Sequence, residues 1–203
     1  MNSKPNIAVL ILAAGNSSRM EEPKQLLPWK NTFLLNHAIN TATKINSLKT
    51  FVVLGANYEL IKSKIQHNDI GVIFNKNWKL GLGSSIACGV QSIMETKQKF
   101  DGVLIILSDQ PLVDSNYLND FIRLFKAGSN QIIASIYESK KLGVPALFDS
   151  CYFEELSKLN QDKGAKKVIT DHIENVITVN ANHLIADIDT KEDYEILYKA
   201  NHQ

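Results

Sequence analysis

The chain has 203 residues, 44% hydrophobic and 21% charged, and its 22 Lys and Arg against 21 Asp and Glu leave a formal net charge of +1. That balance suits one globular domain over residues 1–203 and lacks the basic excess of a nucleic-acid binder, so no nucleic-acid partner is expected. No apolar run reaches the roughly 20 residues of a membrane span, and the N-terminus MNSKPNIAVL lacks a signal-peptide core, so the expectation is a cytoplasmic protein without a membrane partner.

Ile7 to Leu12 is a continuous apolar run and predicts a buried strand. It opens into Ala13-Ala14-Gly15-Asn16-Ser17-Ser18, small residues that leave backbone N–H groups accessible to an anion. Arg19 and Lys24 follow and can add charge to the same cradle. Leu10–Pro28 therefore reads as a triphosphate-binding loop at the C-terminal end of a first strand; an ordinary strand-to-loop turn is the plainer alternative. The stretch is not a Walker A loop, whose G-x-x-x-x-G-K-[ST] is absent, nor a dinucleotide G-x-G-x-x-G, because Gly15 is the only glycine in it.

Thr32 is expected to cap a helix whose apolar positions include Phe33, Leu34, Ala38, Ile39 and Ala42. Thr50 to Leu54 predicts a second strand ended by Gly55, Tyr58 to Ile65 a short helix, and Gly71 to Phe74 a third strand. A polar, glycine-rich loop from Asn75 to Ser85 then runs into Ile86, Ala87, Val90, Ile93 and Met94 at helical spacing. This loop either presents backbone N–H groups, Ser84 and Ser85 to a nucleobase or ribose, or is a surface loop with an N-cap serine. Cys88 sits among small and apolar residues as a packing group; it and Cys151 are far apart, without metal-ligand spacing or a sign of an oxidising compartment. Gly102 to Leu107 is the strongest strand and runs into Ser108-Asp109-Gln110-Pro111. Asp109 is either a ligand for Mg²⁺, which takes oxygen donors and bridges substrate phosphates, or a turn aspartate before proline.

Ser115 starts a helix with Leu118, Phe121, Ile122 and Phe125 on its buried face. Gln131 to Tyr137 predicts a strand, Glu138-Ser139-Lys140-Lys141 a solvent-facing turn, and Gly143 to Phe148 a short extended segment. Cys151 to Leu159 and Gly164 to Asp171 read as helical, Val176 to Val179 as a strand, and Thr190 opens a last helix towards Ala200. Asp187 and Asp189, two apart, would point the same way in an extended segment and so meet one metal. Helix capping is the other reading, since Thr190 with Asp193 resembles a capping box; the two readings are compatible. Asp162-Lys163-Gly164-Ala165-Lys166-Lys167 either reaches an anionic second substrate or is a solvated basic helix start. His37, His67, His172, His183 and His202 form no recognisable cluster, and neither a G-x-S-x-G elbow nor a Cys–His pairing can be read. Alternating strands and helices predict an α/β fold: a Rossmann-like, doubly wound, mostly parallel sheet with helices on both faces. Ligands then bind beyond the carboxyl ends of the strands, where the first loop, the Asn75–Ser85 loop and the Asp109 turn would all emerge.

Taken in order, LAAG-x-S-x-R-M-x-x-x-K, N-x-x-W-x-x-G-x-x-S-S, S-D-Q-P, G-x-P-x-x-F, D-x-G-A-K and D-I-D-T-x-E-D-Y resemble the MobA-like nucleotidyltransferases, and within them the molybdenum cofactor cytidylyltransferases, from Leu10 to Tyr194. The resemblance implies transfer of CMP from CTP to the phosphate of molybdenum-molybdopterin, giving the cytosine dinucleotide and pyrophosphate, with Mg²⁺ as cofactor. CTP, a molybdopterin-type acceptor and a molybdoenzyme that receives the cofactor are the partners implied. By position, Leu12, Ala13, Ala14 and Gly15 hold CTP together with Arg19 and Lys24, the two catalytic cations. Gly81 and Ser84 lie near the nucleoside, and Asp109 with Asp187 or Asp189 holds Mg²⁺. Ala13-Ala14-Gly15 looks like the cytidylyl form of a motif that reads LAGG in the guanylyltransferases. The chain departs from the pattern at Glu21, where glycine usually follows Arg-Met, at Gln161, which replaces glycine, and at Lys166, which keeps the charge of the usual arginine but not its planar fork. A sugar or polyol phosphate as acceptor is the alternative enzymatic reading; a non-catalytic maturation or delivery factor for molybdenum cofactor is the other, kept open by Glu21.

Overall fold

The computed structural model describes residues 4–20, 22–160 and 164–202. At its centre is the first predicted strand, β1 (Ile7–Ala13), with all seven residues buried. In chain order there follow β2 (Pro28–Trp29), β3 (Thr32–Phe33), α1 (Leu34–Thr43), β4 (Lys49–Leu54), α2 (Tyr58–Lys62), β5 (Gly71–Phe74), α3 (Leu82–Met94) and β6 (Gly102–Leu107). The second half supplies α4 (Ser115–Leu124), β7 (Ile132–Ile136), β8 (Leu142–Asp149), α5 (Phe153–Leu156), α6 (Gly164–Asp171), β9 (Val176–Asn180) and α7 (Lys191–Asn201). Among the described residues no helix is long and apolar enough to cross a membrane.

Seven strands form one sheet in the order β5-β4-β1-β6-β8-β7-β9, and β2 and β3 form a separate ribbon. β5, β4, β1 and β6 are mutually parallel. β8 runs against both β6 and β7, and β9 runs with β7. Two reversals cancel, so only β8 points the other way and the carboxyl ends of the other strands share one edge. The mostly parallel, doubly wound sheet is therefore the one that alternating elements predict.

Side chains alternate across a strand, and here both faces are covered. Val9 and Ile11 of β1 pack with Leu35 and Ile39 of α1 and Leu118 and Phe121 of α4. Leu10 and Leu12 pack on the other face with Ile86 and Val90 of α3 and Val168 of α6. A third, smaller cluster joins Leu27, Trp29, Leu34 and Ile188 to Tyr194, Leu197 and Tyr198 of α7. There the Tyr194 hydroxyl donates to Pro28 O at 2.9 Å, the Lys30 N–H donates to His202 Nε2 at 2.7 Å, and His202 stands edge-on to the fully buried Trp29.

Several boundaries differ from expectation. Thr32 is not a cap: it pairs with Trp29 in the ribbon, and Leu34 N–H is taken by Leu27 O instead. The helix expected over 58–65 stops at Lys62, because the Asn36 side chain donates to Lys64 O and accepts from Gln66 N–H, drawing the chain out of helix. The loop expected over 75–85 holds a 3-10 turn, Trp78–Leu80, and α3 begins within it at Leu82. The short segment expected over 143–148 is the eight-residue strand β8. Its Pro145 lacks an N–H and falls where the register with β7 shifts, between Ala134 and Ser135, so no ladder bond is lost. The helix expected over 151–159 is a 3-10 turn, Ser150–Tyr152, followed by one helical turn. At α7 the Thr190–Asp193 capping box forms as expected, and its hydrogen bonds from Thr190 lower the Asp193 pKa.

Candidate active site

The first loop leaves β1 through Ala13 and Ala14, both buried. It needs Gly55 beside it: a Cβ there would lie 2.7 Å from Ala14 O and 2.5 Å from the Trp78 Cβ. Ala56 N–H donates to the same Ala14 oxygen at 3.0 Å. Gly55→Ala is expected to cost about 1–3 kcal/mol of stability, as overpacking does, and to raise KM for the nucleotide by shifting both Ala14 and Trp78. Chemical denaturation and steady-state kinetics check the two effects.

Gln25, 1% exposed, donates from Nε2 to Ala13 O at 2.8 Å and Gly15 O at 2.9 Å, so one buried amide fixes both carbonyls of the loop. Beyond it Ser17, at φ +55°, turns the chain; its hydroxyl accepts the Lys24 N–H at 2.9 Å and its carbonyl accepts the Met20 N–H at 2.8 Å. That turn delivers Lys24 to the end of β6. The Lys24 ammonium donates to Asp109 Oδ2, to Ile188 O at 3.1 Å and to Asp189 Oδ1 at 3.4 Å. The two acidic segments are also joined directly: Ile188 N–H donates to Asp109 O at 3.0 Å, and Gln110 Nε2 donates to Asp187 Oδ1 at 2.9 Å.

Exposure separates the two cations. The Lys24 and Asp109 side chains are only 17% and 15% exposed, so this pair is little screened. Arg19 meets Asp189 Oδ2 at 3.2 Å with 64% and 46% of the two side chains exposed; such a surface pair adds little to stability and readily exchanges for another anion. Asp187 keeps much of its surface open, yet its carboxyl faces the cleft and its pKa is raised. Desolvation is the main cause; the charges of Asp109 and Asp189 add to it, while the Gln110 hydrogen bond and Lys24 oppose it.

These groups surround one cavity of about 340 Å³. Leu12, Ala13, Ala14 and Gly15 form one wall. Trp78, Gly81, Leu82 and Ser85 form the facing wall, and Lys24, Asp109, Asp187 and Asp189 the third. Arg19 does not line the cavity; it is tied to the rim through its contact with Asp189. Ser84 does not line it, contrary to expectation. Ser84 is 8% exposed, and its hydroxyl donates to Asn77 O and Gly81 O and accepts from Asn75 Nδ2, which holds the turn into α3 and leaves Ser85 facing the cavity. Glu21 and the Gln161-Asp162-Lys163 stretch lie outside the described residues, and Lys166 is exposed on α6. Ser85 was a candidate together with Ser84; Gln25, Gln110 and Trp78 are site residues that residue-by-residue reading of the sequence did not assign, although Gln25 directly follows Lys24 and Gln110 directly follows Asp109.

The donor set fits a hard divalent cation. Asp109 Oδ1 is buried without a hydrogen-bond partner among the described residues, while Oδ2 holds Lys24. Among those residues no three His, Cys, Asp or Glu side chains form a complete cage, and Mg²⁺ commonly takes one or two carboxylates and completes its shell with substrate phosphates and water. Asp187 also borders a second opening of about 380 Å³, shared with Tyr137, Glu138, Ser139, Asn182, His183 and Ile185. The Tyr137 hydroxyl donates to Val144 O at 2.6 Å, and burial pushes its pKa up to about 12.

Residues 9–176 match the family described as MobA-like NTP transferase domain. Purine catabolism protein PucB of Bacillus subtilis (strain 168) is 27% identical over 218 residues, covering 97% of this chain and 98% of that protein. Bifunctional protein GlmU of Pseudomonas putida is 29% identical over 129 residues, 63% of this chain but only 27% of GlmU, so the chain spans about a quarter of that relative. The crystal structure of Rv0371c from Mycobacterium tuberculosis H37Rv matches with a TM-score of 0.82 at 25% identity, covering 97% of this chain and 100% of that one. The same protein in complex with manganese matches with a TM-score of 0.79 at 24% identity, covering 96% and 99%.

Proposed function

We propose, from the premise that the chain belongs to the MobA-like NTP transferase family, that it moves CMP from CTP to the phosphate of molybdenum-molybdopterin and releases pyrophosphate, acting in the cytoplasm as one domain. The observation that carries this reading is the convergence of the Ala13–Gly15 loop, Lys24 and the carboxylates of Asp109, Asp187 and Asp189 on one cavity, of the size that small-molecule sites commonly have.

The acceptor phosphate oxygen attacks the α-phosphorus of CTP in line. A new P–O bond forms, the bond from the α-phosphorus to the bridging oxygen breaks, and pyrophosphate leaves with that electron pair. The attacking oxygen is already ionised at neutral pH, so no general base is required, and the protein's part is alignment and charge neutralisation. Lys24 is held in place by three oxygens before substrate arrives and offsets charge on the leaving pyrophosphate. Arg19 exchanges Asp189 for a phosphate oxygen. Asp109, with Asp187 or Asp189, would hold Mg²⁺; when bound, that ion supplies positive charge to the phosphate oxygens. The manganese complex of Rv0371c, a protein of the same fold, supports a divalent cation. The acceptor reaches the α-phosphorus through the opening beyond Asp187. The name of PucB places that relative in purine catabolism; a cofactor-maturing enzyme that serves a purine-oxidising molybdoenzyme accommodates both.

The test is incubation of the purified chain with CTP or GTP, Mg²⁺ and molybdenum cofactor, followed by mass identification of the product. Cytosine dinucleotide and pyrophosphate are expected. Turnover only with a sugar or polyol phosphate moves the assignment to that acceptor class. Tight cofactor binding without pyrophosphate release from either nucleotide makes the chain a delivery factor.

A further inference from the structure

Successive carbonyls of the first loop are tied into the protein: Gln25 Nε2 takes Ala13 O and Gly15 O, and Ala56 N–H takes Ala14 O between them. A trans peptide unit is planar, with the carbonyl of one residue and the N–H of the next on opposite sides. Holding these oxygens therefore fixes where the N–H groups of Ala14, Gly15 and Asn16 point. None of these N–H groups makes a backbone hydrogen bond to a described residue. A Cβ placed on Gly15 would meet nothing within 4 Å, so the loop borders open space, and Ala14 and Gly15 line the cavity. Consecutive backbone N–H groups left free beside a cavity make an anion cradle.

The side chains of Ala13, Ala14 and Gly15 carry no donor or acceptor, so the hold on this loop has to come from elsewhere in the chain. Gln25 supplies most of it from a buried position. An uncharged amide suits the task, because Nε2 carries two hydrogens, one for each carbonyl, and a carboxylate of the same length carries none. Gln25 also shares one 3-10 turn, Lys24–Leu26, with the catalytic cation. The two neighbours divide the work. The Lys24 ammonium reaches Asp109 and Ile188 O, while the Gln25 amide reaches the loop. One short turn thus sets the cation and the N–H donors in fixed places before substrate arrives.

We propose that Gln25 is a positioning residue for the triphosphate: its amide holds the loop with the N–H groups of Ala14, Gly15 and Asn16 turned to the phosphates. The inference rests on the reading of this cavity as a nucleoside triphosphate site. Gln25→Met keeps the length of the side chain and removes the donor. Calorimetric titration at fixed Mg²⁺ is expected to show inorganic tripolyphosphate and CTP each binding this variant about tenfold or more weakly than the parent chain, because the cradle is then ordered at binding rather than before it. A purely structural role lowers the melting temperature and leaves both affinities of the folded protein unchanged; that result overturns the proposal and leaves the transferase reading in place. A loss confined to CTP also overturns it, by placing Gln25 at the nucleoside. A parent chain that binds neither compound removes the nucleotide reading and the proposal with it. A further check needs no variant. On titration of the parent chain with tripolyphosphate, the backbone amide NMR signals of Ala14, Gly15 and Asn16 are expected to move downfield and saturate. If they stay in place while other signals report binding, there is no cradle for Gln25 to hold, and the proposal fails.

Discussion

Lys24→Ala is expected to lower kcat for nucleotidyl transfer by about 10²–10³-fold, the range for losing one preorganised charge-stabilising donor, and to change KM for the nucleotide far less. The ammonium is 17% exposed and held by Asp109, Ile188 O and Asp189, so it needs no reorganisation as charge develops on the leaving group. A structural role alone predicts another pattern. Breaking a largely buried pair leaves Asp109 without its counter-charge, which destabilises the fold, but kcat per folded molecule would stay constant. Thermal melts read beside steady-state kinetics separate the two, and an unchanged kcat removes Lys24 from the reaction. Lys24→Arg is a stringent companion: it restores the charge but puts a planar fork where a compact ammonium meets three oxygens, so incomplete rescue is expected.

Asp109→Asn is expected to abolish Mg²⁺-dependent turnover, a loss of about 10³-fold or more if the metal contributes several kcal/mol to the transition state. The substitution keeps the size of the side chain and an oxygen acceptor for Lys24 while removing the negative charge. Oδ1 of Asp109 is the buried, unpartnered oxygen of the site, which makes it the donor best placed for a hard cation. The check is turnover across a Mg²⁺ titration, with a melt to confirm folding. If Asp109→Asn retains metal-dependent activity, the cation sits elsewhere in the cleft.

The central strands were legible in the sequence because burial on both faces makes β1, β4 and β6 continuous apolar runs. The meeting of Lys24 and Asp109, 85 residues apart, follows from the rule that loops of such a sheet gather at its carboxyl edge. Other features depend on tertiary placement. A proline in an interior strand argues against that strand until a register shift is known, as with Pro145 in β8. Neighbouring helical residues point about 100° apart, since 3.6 residues make a turn, so whether Ser84 or Ser85 faces the cavity depends on α3 starting at Leu82. Gln25 and Gln110 owe their roles to which carbonyl or carboxylate stands opposite, and an amide side chain carries no mark of that in the sequence. Thr190 with Asp193 was legible because a capping box is a local pattern.

The ribbon just after Lys24 is fastened by Tyr194 to Pro28 and by His202 to Lys30, the latter across 172 positions. Ribosomes release a chain from its N-terminus at about 5–20 residues per second. The nucleotide loop and every sheet strand therefore leave the exit tunnel before the groups that brace Lys24's segment. A chain stalled short of α7 is therefore expected to lack both fastenings of the ribbon that follows Lys24.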